Sequence, residues 1–222
     1  MIVSGIQNLG TCLAALGLAL SMVSQAEAVP ITYNNRAAFE SQLGAKFTDT
    51  YSAAGYLTGD RINNAAIAIH RDAHMSGVVG ETRYTTTGFS NWNIIQRSGG
   101  DPDYCAGCNG SFLLDFTSTS LGSASGVFGA GFDIEAHTDY FAFVTFGDAS
   151  TGDYSLQGLS FWGITSEASV KTVHLGLTGG GATTGGSLAI DDLTIGAVPE
   201  PTTLALLGAG LVALCTRRRH TS

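Results

Sequence analysis

The chain has 222 residues and a formal net charge of −8 at pH 7. A surface this acidic repels a phosphate backbone, so we expect no nucleic-acid partner. The length suits one domain or two small ones, and part of it is taken up by terminal segments that resemble targeting signals rather than folded structure.

Residues 1–28 have the features of a signal peptide. Residues 9–23 are almost entirely apolar, and the small-x-small pattern QAEA at 25–28 is typical of a signal peptidase site. A run of 15 residues is short for a membrane-spanning helix, which needs about 20. We therefore predict cleavage by signal peptidase after Ala28 and export of the rest of the chain. A retained N-terminal anchor is the alternative.

Residues 29–197 are predicted to form one all-β domain. A short helix comes first, with Asn35 as its N-terminal cap and Gly44 as its C-terminal stop. Alternating apolar residues then predict short strands, which fall at 112–116, 128–134, 140–146, 153–157, 161–165 and 171–177. Short strands separated by turn residues favour a jelly-roll-like two-sheet β-sandwich over a parallel sheet with helices.

The last strand of this domain carries an irregularity. Its apolar residues occupy even positions up to Ile190 and odd positions from Leu193 onwards, so the apolar side changes across Asp191 and Asp192. Either a β-bulge adds one residue there or the strand moves to the other sheet, and both would turn one aspartate away from solvent. The stretch AIDDL at 189–193 is similar to the closing strand of many jelly-roll carbohydrate-binding modules.

Cys105 and Cys108 are the two cysteines between the terminal segments. In an oxidising compartment a pair this close is expected to form a disulfide. A redox motif is the alternative, but that chemistry needs a helix N-terminus to lower the pKa of one thiol, and the surrounding Gly, Asp, Pro and Asn residues predict a loop. A four-thiolate zinc site would need a second pair.

Aspartates in the predicted turns are candidate calcium ligands, because Ca²⁺ prefers hard oxygen ligands. The candidates are Asp101, Asp103, Asp148, Asp153, Asp191 and Asp192. We prefer Asp191 or Asp192, since a carboxylate buried at a bulge needs a compensating partner. Ca²⁺ is the one cofactor that this pattern suggests.

Catalytic groups have little support. His70 and His74 lie four residues apart without an evident third metal ligand, so we interpret them as surface histidines. Asp133 and Glu135 lie on one strand face and resemble the paired carboxylates of β-sandwich glycosidases, but such chemistry needs the two groups to face each other across a cleft. We expect a non-catalytic protein, with a secreted glycan hydrolase as the alternative.

Aromatic residues could instead provide platforms for sugar rings, because large rings with polar edges suit amphipathic ligands. The candidates are Trp92, Tyr140, Tyr154 and Trp162. Trp92 stands between two asparagines, and it is the one that we expect to be exposed and to contact carbohydrate.

The C-terminal 25 residues contain three parts in a fixed order. They are Val198-Pro199-Glu200-Pro201, an uncharged stretch at 202–216, and Arg217-Arg218-Arg219. As a helix, the uncharged stretch would span roughly 22 Å, and the arginines would hold its end in the cytoplasm. The preceding domain is therefore predicted to lie on the outer side of the membrane.

This tail resembles the PEP-CTERM sorting signal, which is also labelled the ice-binding protein C-terminal domain. The resemblance implies recognition by an exosortase, a membrane-embedded cysteine protease, and removal of the tail after transient membrane anchoring. Proteins with this tail usually accompany exopolysaccharide production. An anchor that is never cut is the alternative.

The predicted organisation is a signal peptide at 1–28, a β-sandwich domain at 29–197 and a sorting signal with a transmembrane helix at 198–222. The predicted function is that of an exported, exosortase-processed, non-catalytic surface or extracellular-matrix protein that associates with exopolysaccharide. A glycan hydrolase and a purely structural, calcium-stabilised module are the alternatives.

Overall fold

The computed structural model describes residues 29–58, 60–61, 67–88, 92–96, 101–108, 110–136, 139–182 and 187–199. The predicted signal peptide and the predicted transmembrane helix lie outside these residues. Within the described ranges, no helix has the length and apolar character needed to span a membrane.

The described part of the chain is mostly β, with thirteen strands and two short α-helices. In chain order they are β1 (Ile31–Tyr33), α1 (Arg36–Glu40), β2 (Lys46–Asp49), β3 (Asp60–Arg61), β4 (Ile67–His70), α2 (Asp72–Val79), β5 (Arg83–Thr86), β6 (Asn93–Gln96), β7 (Asp103–Ala106), β8 (Phe112–Asp115), β9 (Val127–Ala136), β10 (Phe141–Phe146), β11 (Thr151–Ser155), β12 (Phe161–Gly176) and β13 (Leu188–Gly196). The strand pairs are antiparallel, as the sequence predicted.

The long strand β12 belongs to two groups of strands. Its residues 161–165 pair with β9, and residues 163–165 pair with β1 on the other side. Beyond Ser169, which has a left-handed φ of 65°, β12 pairs with β10 and β8 instead. One group is therefore β1, β12, β9 and β13 with β2, β7, β6, β4 and β3, and the other is β11, β10, β12, β8 and β5. The sequence had suggested two separate strands where β12 runs without a break.

Strand β13 contains the predicted β-bulge. Against β9, Asp191 pairs with Asp133 while Thr194 pairs with Gly131, so β13 holds one residue more than its partner. Asp192 takes up the irregularity with a φ of 49°. The bulge also separates the part of β13 that pairs with β7 from the part that pairs with β2.

Helix α1 begins at its predicted cap, because the Asn35 side chain accepts a hydrogen bond of 2.9 Å from the Ala38 N–H. It ends earlier than predicted, with Ser41 as its C-terminal cap, so the proposal that Gly44 stops the helix is wrong. Helix α2 was not predicted. It buries only Met75, which leaves almost no apolar periodicity to read, and it ends at Gly80 with a left-handed φ of 77°.

Side chains from both strand groups form one hydrophobic core. The alternation is visible in β10, where Ala142, Val144 and Phe146 are buried and the residues between them are half-buried. The largest fully buried side chains include Trp162, Tyr51, Tyr56, Tyr84, Tyr104, Tyr140, Phe39, Phe112, Phe116 and Phe132. This packing holds β1 and β11, the two strands that border a surface groove, in place.

Candidate functional site

A surface groove with a volume of about 480 Å³ lies between β1 and β11. Its lining includes Tyr33, Asn34, Asp153, Tyr154, Ser155 and Trp162. Two aromatic rings of intermediate exposure therefore stand beside amide, carboxylate and hydroxyl groups. This combination of flat apolar faces and hydrogen-bonding groups suits an amphipathic ligand.

The two walls of the groove come from different strand groups. On one side, Tyr33 pairs with Gly163 of β12, which places it next to Trp162, and Asn34 follows directly. On the other side, the hairpin of β10 and β11 positions Tyr154 opposite Ala142. Because both walls attach to β12 directly or through β10, the groove is part of the rigid strand framework.

The aromatic residues of the groove are supported from behind by the core. The Tyr154 ring lies 5.9 Å from the Trp162 ring, which is itself only 2 % exposed and packs against Phe132. The Tyr33 ring lies 5.8 Å from that of Phe39. Held this way, the two tyrosine rings would lose little conformational entropy when a ligand binds.

The Tyr154 hydroxyl stays protonated and able to donate. Burial, together with the neighbouring Asp153 carboxylate, raises the pKa of Tyr154 above its usual value. The Tyr33 hydroxyl lies 3.2 Å from the Thr165 hydroxyl, and either oxygen can be the donor.

The structure brings together two of the four aromatic residues predicted as platforms. Tyr154 and Trp162 share the groove, whereas Tyr140 is fully buried in the core. Trp92 is 46 % exposed, as predicted, but it is not among the residues that line the groove. Sequence reasoning missed Tyr33. The sequence feature that could have pointed to Tyr33 is an aromatic residue followed by two asparagines at the end of a short apolar stretch.

Three aspartates form a row across β7, β13 and β9. Asp191 pairs with Asp133, and Asp103 precedes Tyr104, the partner of Ile190. Asp103 is only 8 % exposed, and its Oδ1 atom has no hydrogen-bond partner among the described residues.

Two members of the row, Asp103 and Asp191, lie where negative charge is disfavoured. Burial, followed by the Glu135 and Asp191 carboxyl groups, raises the pKa of Asp103 to about 7. Burial is also the main cause that raises the pKa of Asp191 to about 6. These carboxyl groups therefore hold protons in a pH range where ordinary aspartates are ionised.

The acids predicted as a catalytic pair have different surroundings. Arg36 Nε donates a hydrogen bond to Asp133 Oδ1 at 3.3 Å, and Arg36 Nη2 lies 3.0 Å from Asp133 Oδ2. The same guanidinium donates to the Thr194 hydroxyl and to the Asp192 carbonyl, so it connects α1 with β9 and β13. Asp133 thus serves a structural ion pair, while Glu135 lies next to Asp103.

One of the two predicted calcium ligands at the bulge has a side-chain partner within the chain. Asp191 Oδ1 accepts a hydrogen bond of 2.7 Å from the Asp192 N–H. Over the described ranges, no group of three or more His, Cys, Asp or Glu side chains is arranged to hold a metal ion. Calcium binding at Asp191 or Asp192 stays a prediction.

Cys105 and Cys108 form a disulfide, in agreement with the sequence prediction. The surroundings differ in part from the predicted loop, since Cys105 lies in β7 and is 1 % exposed. The turn after β7 is also hydrogen-bonded to the residue that precedes β6, because the Gly107 N–H donates to the Trp92 carbonyl at 2.8 Å.

His70 and His74 were both predicted to be surface residues, and this prediction is wrong for His70. His70 ends β4 and is 3 % exposed, and its ring stacks on that of His74 with 4.6 Å between centroids. The Nε2 atoms lie 3.1 Å from the carbonyl oxygens of Tyr56 and Gly55. The reason is that α2 folds back onto the segment that precedes β4. His137 lies outside the described residues.

Comparison with known proteins adds the function of the tail. The family described as the PEP-CTERM protein-sorting motif matches residues 197–219, one residue earlier than the predicted start. The chain is thus an exported protein with a C-terminal sorting signal. That signal is the PEP-CTERM motif, which implies sorting by an exosortase.

Other comparisons carry less information. No curated protein matches the chain. A solved structure of a mutant of CBM29-2, a family 29 carbohydrate-binding module studied for ligand recognition, matches with a TM-score of 0.35 and 13 % sequence identity. The match covers 61 % of this chain and 94 % of that one, and at this score it carries no argument about fold or ligand.

Proposed function

We propose that this chain is an exported surface or extracellular-matrix protein that binds exopolysaccharide without cleaving it. In this proposal, signal peptidase removes residues 1–28 and an exosortase processes the tail after transient membrane anchoring. The domain at 29–197 is a jelly-roll-like sandwich whose two sheets are the two strand groups that share β12. The observation that carries the proposal is the groove between β1 and β11.

The groove suits a sugar for physical reasons. One face of a pyranose ring presents C–H groups that pack on an aromatic ring, while its hydroxyls need hydrogen-bond partners. Tyr33 and Tyr154 offer the rings, and Asn34, Asp153 and Ser155 offer the polar groups. A volume of about 480 Å³ falls within the range of roughly 300–1,000 Å³ that is usual for small-ligand sites. Asp153 is the one carboxylate among these residues, which supports binding over acid–base hydrolysis by a pair of acids.

Replacement of Tyr154 tests the groove directly. We expect Tyr154→Ala to weaken binding to exopolysaccharide from the producing strain about five- to thirtyfold, because a stacked ring contributes on the order of 1–2 kcal/mol. Tyr154→Phe keeps the ring and should lose less. The measurement is co-sedimentation of the purified full-length chain with the polysaccharide.

Trp92→Ala is the matched comparison, since Trp92 is an exposed aromatic residue outside the groove. Loss of binding in this variant alone would move the site to Trp92, as the sequence prediction had it. Unchanged binding in both variants, or no binding by the wild-type chain, would contradict the proposal.

A calcium-stabilised structural module is the second candidate, because Asp103 Oδ1 has no hydrogen-bond partner among the described residues and the Glu135 and Asp191 carboxyl groups interact with Asp103. Ca²⁺ would neutralise that row. The expected outcome is a higher melting temperature in calcium than in chelator, with the difference reduced in Asp191→Asn. Equal melting temperatures would remove this candidate.

A further inference from the structure

The folded domain continues without a linker into the sorting motif. Gly196 at the end of β13 pairs with Lys46 of β2. The ladder extends beyond the strand, since the Ala197 N–H donates to the Ala45 carbonyl at 2.8 Å and the Gly44 N–H donates to the Ala197 carbonyl at 3.0 Å. The match to the sorting motif begins at residue 197. The first residue of the motif is therefore hydrogen-bonded as part of the sheet.

Gly44 allows Val198 and Pro199, which follow Ala197, to lie against the turn between α1 and β2. A Cβ atom at Gly44 would lie 2.7 Å from the Val198 carbonyl oxygen and 3.1 Å from the Pro199 Cα. Both are backbone atoms, so they could not move aside without displacing the chain. The absence of a side chain at position 44 is what permits this close approach.

Chain length places this turn near the membrane before processing. Only two residues, Glu200 and Pro201, separate Pro199 from Thr202, where the uncharged stretch of the tail begins. The three Cα–Cα steps from Pro199 to Thr202 span at most about 11 Å. With the tail inserted as the sequence predicts, the turn at Gly44 would lie within about that distance of the membrane boundary, so the folded domain would stand directly beside residues 197–199 where a membrane-embedded protease would have to reach them.

We propose that the domain docks the start of its own sorting motif at Gly44 and thereby restrains exosortase processing. Proteases commonly bind an extended segment through its backbone N–H and C=O groups. At Ala197 both of these groups are already bonded to the α1–β2 turn. Residues 197–199 must leave the turn before the enzyme can use them, so release of this contact controls the rate of processing. The inference rests on the exosortase processing proposed above.

The test uses the full-length chain expressed in cells that carry the exosortase, followed by pulse-chase detection of the cut form. Gly44→Val should displace residues 198–199 and raise the processing rate about threefold or more. The matched control is Gly77→Ala, because a Cβ atom at Gly77 meets nothing within 4 Å. Its processing rate should equal that of the wild-type chain.

A second variant keeps the test valid if Gly44→Val misfolds. Insertion of Gly-Ser-Gly-Ser between Ala197 and Val198 leaves Gly44 and the ladder unchanged while moving the Pro-Glu-Pro segment away from the turn. Faster processing of this variant is expected. Equal or slower processing in the insertion variant would overturn docking as a restraint.

Hydrogen exchange measures the docking of residues 197–199 at Gly44 independently of the processing rate. In the full chain the Ala197 amide should be protected, and Gly44→Val should reduce that protection. Rapid exchange of this amide in the wild-type chain would overturn the docked arrangement. By contrast, absence of cleavage in every chain, including the wild type and the insertion variant, would refute the proposed exosortase processing while leaving the Ala197 protection unchanged.

Discussion

Asp103 is an acid whose surroundings favour its neutral form. It is 8 % exposed, and burial with the neighbouring Glu135 and Asp191 carboxyl groups raises its pKa to about 7. In an unfolded chain an aspartate releases its proton near pH 3.9. The folded state therefore keeps a proton that the unfolded state has lost. The contribution of Asp103 to stability is complete below about pH 4 and disappears as the pH rises through about 7.

Replacement of Asp103 by asparagine should therefore stabilise the protein at high pH only. At pH 8 we expect Asp103→Asn to raise the free energy of unfolding by up to about 4 kcal/mol, since each pKa unit between 3.8 and about 7 corresponds to about 1.4 kcal/mol. At pH 4 the variant and the wild-type chain should differ little. Thermal melts at both pH values provide the measurement. Exposed Asp139→Asn is the control for loss of charge alone, and an equal gain there would contradict the role of burial.

The bulge in β13 illustrates what a pattern of apolar residues can predict within one strand. The change from even to odd apolar positions predicted an irregularity at Asp191 and Asp192, and the register against β9 confirms it. The N-terminal cap at Asn35 was likewise predicted from local chemistry. Both features depend on residues that are close in the chain, so the sequence contains the information needed to predict them.

Elements with little periodicity were harder to predict. Strands β1 to β7 have two to four residues each, which is too short for a clear alternation. The groove was not predictable as a unit, because Tyr33 and Tyr154 come from distant parts of the chain and meet only through the pairing of β1 and β10 with β12. Tyr140 shows the opposite difficulty: it was a plausible sugar platform from the sequence, but the core buries it.

The left-handed backbone at the bulge gives a prediction about side-chain shape. Asp192 has a φ of 49°, a conformation that aspartate, asparagine and glycine tolerate and a β-branched residue does not. We expect Asp192→Val to lower the free energy of unfolding by about 1–2 kcal/mol. Asp192→Gly and Asp192→Asn should stay within about 0.5 kcal/mol of the wild-type chain. Urea denaturation measures all three, and equal losses for valine and glycine would show that the side chain of Asp192 matters more than its backbone.

The two strand groups act as one unit because β12 belongs to both. A separation of the groups would require β12 to break at Ser169 or to lose its pairing with β9 or β10. The groove depends on this connection, since the β1 wall pairs with the first part of β12 and the β11 wall attaches to the second part through β10. The acidic row, by contrast, lies on β7, β13 and β9, so a change of protonation there can alter stability without acting on the groove residues.

If the tail tethers the protein as proposed, the position of β13 has a mechanical consequence. The chain leaves the domain at the end of β13, which is flanked by β9 on one side and by β2 and β7 on the other. Tension between a bound polymer and the tail would pull along this strand. Because such a force loads the hydrogen bonds of both neighbouring ladders together, in shear, the domain would resist extraction far better than if the tail left from an edge strand that could be peeled off bond by bond.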